Sequence, residues 1–320
     1  MIFLSAQPWD QYFVWQIEVQ ITNFRKHNIS DKMHVCVWYP GDPNTQLLLW
    51  KELENKYPEV KFFYYKDEGV NLKLYIPQLR PHILSKHFNK FPELSNKVIF
   101  YHDSDIIFNY LPDFNSLIHD EINWQSDTSG YLDYNYLRSK EIQGNIPENE
   151  AVDLLASIGN TNVNTFKAYK GRTGGAQCIL KNIDGEFWKD VERQCIEIRK
   201  NFLYGQPDSI NSKYFKSENA GFQSWCADMW ALNMALWSRG RQTDVTKELD
   251  FSWATDNSET FLKKPIFHNA GATGVQPGVF YKGSWINRSP IGIIHEINPN
   301  LASFHYVEII NEITKNNMIS

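Results

Sequence analysis

Asp103 and Asp105, one residue apart in the stretch KVIFYHDSDIIF (97–108), are the residues whose type and spacing most readily do chemistry. On an extended segment, residues i and i+2 point the same way. Two like charges then lie within a few ångströms, which raises one pKa or calls for a cation. Val98, Ile99 and Phe100 precede the pair and Ile106, Ile107 and Phe108 follow it, so the surroundings are not those of a solvated loop tip. A partly buried acidic pair is naturally matched by a hard divalent cation that prefers oxygen ligands. Asp is also common in turns, where its side chain bonds its own backbone. On these residues alone, a metal site and an ordinary turn both stand.

The elements before the pair say where it falls. Ile2 to Ser5 reads as a short strand, and Phe13, Ile17, Ile21 and Phe24 then recur at helical spacing, with Asp10 in the N-cap position. MHVCVWYP is a second strand, closed by Pro40-Gly41-Asp42-Pro43; NTQLLLWKELENKY is a helix and VKFFYYKD a third strand. IPQLRPHILSKHFNKF is a helix begun at Pro81, which leads into a fourth strand, KVIFYHDSD. Strand–helix alternation of this kind predicts an α/β fold with a mainly parallel sheet. Ligands of such sheets bind beyond the carboxyl ends of the strands, where Asp103 and Asp105 fall.

Further on, INWQSDTSGYLDYNYL holds another strand and turn, IPENEAVDLLASIG a short helix closed by Gly159, and GRTGGAQCILKN a strand entered through glycines. DGEFWKDVERQCIEIRKNF is a helix starting at Asp184 or Gly185, and SWCADMWALNMALWSRG a helix ending in Gly240. After Asp250 the pattern becomes loop-rich, with Gly271, Gly274 and Gly278 in a segment able to act as a lid.

Composition narrows the function classes. The 320 residues are 42% hydrophobic, enough for a sizeable core, and the net charge of −5 gives no general draw toward nucleic acid or anionic membrane. Cys36, Cys178, Cys195 and Cys226 form no C-x-x-C pair, which argues against structural zinc and for reduced, packed thiols. The N-terminus lacks a signal-peptide pattern, and no apolar run reaches the ~20 residues of a membrane-spanning helix. The chain therefore reads as a cytoplasmic protein. Its 11 Trp, 16 Tyr and 20 Phe suit core packing and also stacking against sugars or bases.

The order of HDSD, GGAQCILKN, CADMWALN and FHNAG…YKG resembles that of nucleotide-sugar glycosyltransferases of the GT-A fold. The similarity is to the retaining lipopolysaccharide-galactosyltransferase-like group and to peptidyl-serine or hydroxyproline glycosyltransferases, over roughly residues 1 to 285. It implies one domain over 1–320: a nucleotide-binding half (1–110) ending in D-x-D, an acceptor and donor-sugar half (111–290), and a C-terminal extension (291–320). It implies that Asp103, Asp105 and His268 hold Mn²⁺ or Mg²⁺, imidazole favouring Mn²⁺. Lys282 would sit on the leaving phosphate. Gln7, Arg80, Ser104 and Asp127 would bind the donor, with Trp9 or Tyr12 against the base.

 A UDP-sugar is the donor this implies, and a hydroxyl on a glycan, a peptide or a modified DNA base the acceptor.

Asp228 is the candidate catalytic residue. Ala227, Met229 and Trp230 place it on an apolar helix, where an unpaired carboxylate is costly. It would bond sugar hydroxyls or face an oxocarbenium-like transition state; a capping or salt-bridged Asp is the alternative. Asp228 with His268 matches the retaining pattern, whereas Asp184 or Glu186 could supply the base of an inverting enzyme. The family's His-x-Gly-x-x-Lys-Pro-Trp run is absent, since Lys282 follows His268 by fourteen residues. A nucleotidyltransferase is disfavoured because LSAQPWDQ lacks a glycine-rich phosphate loop. A binding protein without turnover is the other rival. For a DNA acceptor, only Arg193, Arg199, Lys200, Lys213 and Lys216 hint at a basic surface.

Overall fold

In chain order the first elements are β1 (Ile2–Pro8), α1 (Gln11–Lys26), β2 (Met33–Tyr39), α2 (Thr45–Lys56) and β3 (Lys61–Lys66). There follow α3 (Leu79–Lys90), β4 (Ile99–Tyr101), β5 (Ile106–Phe108), α4 (Asn115–Ile118) and β6 (Asn123–Asp127). The middle holds α5 (Tyr134–Gln143), α6 (Glu150–Ile158), α7 (Val163–Ala168), β7 (Gly174–Leu180), α8 (Gly185–Phe202) and α9 (Ile210–Tyr214). The last are α10 (Ala227–Trp237), β8 (Thr243–Val245), β9 (Phe251–Trp253), α11 (Ser258–Lys263), β10 (Ile266–His268) and α12 (Ser303–Ile319). The computed structural model describes residues 1–41, 45–67, 70 and 74–319. Asp42 and Pro43 of the expected turn, and Asn44 at the expected helix start, lie outside the described residues.

The chain forms two compact units, one of residues 1–68, 101–116 and 248–320, the other of 69–100 and 117–247. In the first, β1 runs parallel to β2 and β2 to β3, in the order β3-β2-β1. β2 is buried on both faces, which is why it reads as a continuous apolar run rather than an alternation. A second sheet of the same unit places β10 between β5, antiparallel to it, and β9, parallel to it. In the second unit, β6 lies between β7, antiparallel, and β8, parallel. The fold is α/β with mainly parallel pairing, as the alternation predicts.

Several local expectations shift. β1 runs on to Pro8, so Gln7 lies within the strand. Asp10 occupies the N-cap position of α1 but its side chain makes no cap bond. α3 starts at Leu79 after a 3-10 turn, so Pro81 sits inside its first helical turn, where backbone N–H groups need no intrahelical acceptor. Gly159 follows α6 with a right-handed φ of −84°, and Asn160 takes the left-handed turn instead, at φ 53°. The fourth strand is only three residues long, and the acidic pair lies in the link to β5.

The segment after Asp250 carries more structure than its composition shows. α12 buries Tyr306, Val307, Ile310 and Ile313 in an apolar cluster with Trp15 and Val19 of α1 and Phe267 of β10. The final helix thus forms part of the first unit's core. In the second unit α8 packs on α3 and α10. Glycine is required at 174, because a Cβ there would meet the Ser126 carbonyl oxygen at 2.2 Å.

Candidate active site

Three polar side chains on α1 hold the link that carries the acidic pair. Gln20 donates to the carbonyls of Asp103 and Ile106, at 3.0 and 3.3 Å. Asn23 brackets Phe108, accepting from its N–H at 2.8 Å and donating to its carbonyl at 2.9 Å. Gln16 accepts from the Ser104 hydroxyl at 2.9 Å. Positions 16, 20 and 23 share one helix face, all buried. Polar residues on a buried face are the signal that could have marked them in the sequence. On the other side, the Asn269 N–H donates to the Asp105 carbonyl at 2.9 Å, and the His102 N–H to that of Leu4 at 3.2 Å.

This frame brings together the expected ligands. Pairing of β10 with β5 sets His268 opposite Ile106, next to Asp105. His268 Nε2 lies 3.2 Å from Asp105 Oδ1 and 3.4 Å from Asp103 Oδ2, and one ligand atom from each residue falls within 4.8 Å of the others. The His268 ring stacks on Trp253, with centroids 5.9 Å apart and planes 19° apart, which fixes its orientation. Asp105 is 3% exposed. Lys282, opening the 3-10 turn Lys282–Trp285, places its ammonium on Asp105 Oδ2. Burial pushes the Asp105 carboxyl up, but Lys282 and His268 together hold it below the usual carboxylate range. Burial likewise opposes the Lys282 charge, and Asp105 more than offsets this, so its pKa is raised.

Two carboxylates and one imidazole converging on one point fit a divalent cation such as Mn²⁺, with oxygen ligands for a hard ion and a nitrogen that softens the set. Lys282 supplies the positive charge beside them. Ser104, expected at the donor, gives its proton to Gln16 and so serves to anchor the link. Gln7 is 2% exposed and neither of its amide atoms has a hydrogen-bond partner. A buried amide left unpaired is unfavourable, and a ligand that bonds both atoms removes the penalty. Tyr12 packs edge-on against Trp15, at 5.9 Å, and the Trp9 carbonyl accepts from the indole of Trp50 at 2.6 Å.

The second unit joins two other expected residues. Asp228 sits in the first turn of α10, where the helix N-terminus favours a negative charge. Arg80 of α3 forms an ion pair with Asp228 Oδ2. The Tyr75 hydroxyl lies 2.6 Å from Asp228 Oδ1 and 2.7 Å from the Trp225 carbonyl, and it accepts from the Asp228 N–H at 3.2 Å. Burial, then the Asp228 charge, drives the Tyr75 phenol well above its ordinary pKa, which keeps it a neutral donor. The salt-bridged alternative for Asp228 is therefore realised, with a partner 148 residues away that periodicity cannot reveal. A carboxylate offers about four lone-pair positions, so these contacts leave acceptor capacity.

Asp127 ends β6, exposed, and its Oδ1 accepts from the Ser129 N–H at 2.9 Å. Asp184 caps α8, accepting from the Phe187 N–H at 2.7 Å. In the basic region, Arg193 faces Asp190 at 3.8 Å, Lys200 faces Glu197 at 2.8 Å and Lys213 faces Glu150 at 3.0 Å. These exposed charges are balanced locally.

No family model matches the sequence, and no curated protein matches it. Among solved structures, the chain is similar to the WbbM bifunctional glycosyltransferase, with TM-score 0.44 and 11% identity. That match covers 100% of this chain, which spans 52% of the WbbM chain. It is also similar to the galactosyltransferase LgtC in complex with donor and acceptor sugar analogs, with TM-score 0.43 and 12% identity over 98% of this chain and 96% of that one. A third is the mannosyltransferase PcManGT from Pyrobaculum calidifontis, in complex with GDP-Man and Mn²⁺, with TM-score 0.31, 9% identity and 74% coverage of both chains. The functional reading that follows rests on this chain's own side chains.

Proposed function

We propose that the protein is a metal-dependent glycosyltransferase that moves a hexose or pentose from a nucleoside diphosphate sugar, a UDP-sugar, to a hydroxyl acceptor. The convergence of Asp103, Asp105 and His268 carries this reading, with Lys282 beside it. A bound Mn²⁺ or Mg²⁺ would neutralise the diphosphate as it leaves. Asp103, Asp105 and His268 would hold that ion, and the Lys282 ammonium, released from Asp105, would bond phosphate oxygens. Gln7, with both amide atoms available, would read the donor and acceptor groups of the base edge.

On the sugar side, Asp228 would accept from sugar hydroxyls while Arg80 and Tyr75 fix its orientation. Asp127 and Arg80 would complete the donor contacts. The ion pair of Asp228 with Arg80 makes it a weak base, which supports retention, with the leaving phosphate taking the acceptor proton. The charge-balanced α8 surface favours a glycan or peptide acceptor over modified DNA. A screen of UDP- and GDP-sugars for Mn²⁺-dependent nucleotide release tests the reading. Release from a UDP-sugar supports it; release from none of them sinks it. The anomeric proton coupling of the product then separates retention from inversion.

A further inference from the structure

Trp225 is 51% exposed, although it sits between two buried neighbours, Ser224 and Cys226. Both flanks are pinned. The Ser224 hydroxyl receives the Arg199 guanidinium, and the Cys226 thiol donates to the Gln223 carbonyl at 2.8 Å. The Trp225 carbonyl is itself 2.7 Å from the Tyr75 hydroxyl. A backbone held this firmly presents the indole outward instead of letting it fold onto the surface. Beside it stands Tyr131, half-buried, with ring centroids 5.4 Å apart and planes 42° apart. Tyr131 is set by its N–H bond to the Thr128 carbonyl, 3.0 Å, and by the fully buried Leu132 that follows it.

We propose that Trp225 and Tyr131 form a stacking platform for a pyranose ring of the acceptor, which makes the acceptor a glycan. The proposal rests on the glycosyltransferase reading above. Singly exposed aromatics are ordinary, but here two aromatics lie side by side, and one of them, Trp225, is three residues from the carboxylate assigned to the sugar. One hydroxyl, that of Tyr75, spans from the Trp225 carbonyl to Asp228 Oδ1, so platform and carboxylate are fixed in one frame. A pyranose ring has an apolar face of C–H groups that suits the electron-rich face of an indole, and hydroxyls at its rim that suit a carboxylate.

The test is saturation-transfer NMR on the whole protein with a panel of methyl pyranosides, with lactose, maltose and cellobiose, and with a hydroxymethylcytosine oligonucleotide. Transfer to the ring C–H protons of at least one sugar is expected, with roughly a fivefold or larger weakening in Trp225→Ala, the order of an aromatic contact, and partial retention in Trp225→Phe. Tyr131→Ala provides a second variant should Trp225→Ala fail to fold. No transfer from the wild type to any sugar, or equal transfer from Trp225→Ala and Tyr131→Ala, overturns the proposal. Transfer confined to a hydroxymethylcytosine oligonucleotide overturns it too, since the platform would then hold a base. Nucleotide release from UDP-sugars, measured on the wild type in parallel, reports on the underlying reading independently of this signal.

Discussion

Replacing Lys282 by Met removes the ammonium from Asp105 and keeps most of the side chain's volume. Asp105 is 3% exposed and Asp103 lies close by, so the variant leaves two neighbouring carboxylates with His268 as the one basic group among the three candidate ligands. Breaking a buried ion pair from one side destabilises by about 3–5 kcal/mol. The Lys282 side chain is 28% exposed, which lowers the expected loss to about 2–3 kcal/mol. For a unit of this size that corresponds to a fall in Tm of roughly 5–10 °C. A divalent cation supplies the missing charge, and at a hundredfold excess over its Kd it would return about 2.7 kcal/mol. Thermal melting with EDTA and with Mn²⁺ is the assay. Lys282→Met should melt lower than wild type in EDTA and gain more from Mn²⁺ than wild type does, because Lys282 no longer competes for Asp105. If the variant melts like wild type and gains no more from Mn²⁺, Lys282 does not balance the acidic pair and the reasoning fails.

Asp228→Asn should lower turnover by roughly a hundredfold with a much smaller effect on donor binding, as expected for loss of an electrostatic group. Steady-state kinetics check this, and unchanged turnover with a lower Tm would make Asp228 purely structural. Gln7→Leu should raise stability by about 1 kcal/mol, because it removes a buried unpaired amide, while weakening UDP binding about tenfold or more. Melting and calorimetric titration with UDP read the two effects, and unchanged UDP affinity would remove Gln7 from the site. His34, buried and near Lys61, has its pKa lowered to about 4, by burial first and by Lys61 second. Its contribution is therefore present above pH 6.5 and lost as pH falls toward 4, by at most roughly 3 kcal/mol. Urea unfolding at pH 7 and pH 4 should show a smaller acid loss in His34→Phe than in wild type; an equal loss rejects it.

The first hundred residues were legible because their signals are local. Apolar periodicity marks β1 through α3, and Asp103 and Asp105 announce themselves by spacing and by the strand before them. His268 came from resemblance, and the pairing of β10 with β5 supplies its physical basis. What stayed hidden depends on long-range contacts. The sheet of β5, β10 and β9 is built from three-residue strands, too short for a period to show. The Arg80–Asp228 pair joins two helices far apart in sequence, and neither residue's neighbours point to the other. The role of Gln16, Gln20 and Asn23 was readable in principle, since polar residues on an otherwise apolar helix face need partners. α12 also carries helical spacing at Tyr306, Ile310 and Ile313, masked by the loop-like segment before it.

Nucleotide release from a UDP-sugar, followed in excess EDTA and then in Mn²⁺, for the wild type and for Asp105→Ala, tests the central claim most directly. The wild type should be silent in EDTA and recover with Mn²⁺, and Asp105→Ala should stay silent in both while retaining its circular dichroism spectrum. Full release by the wild type in EDTA, or by Asp105→Ala in either condition, would contradict a metal-dependent transferase built on Asp103, Asp105 and His268.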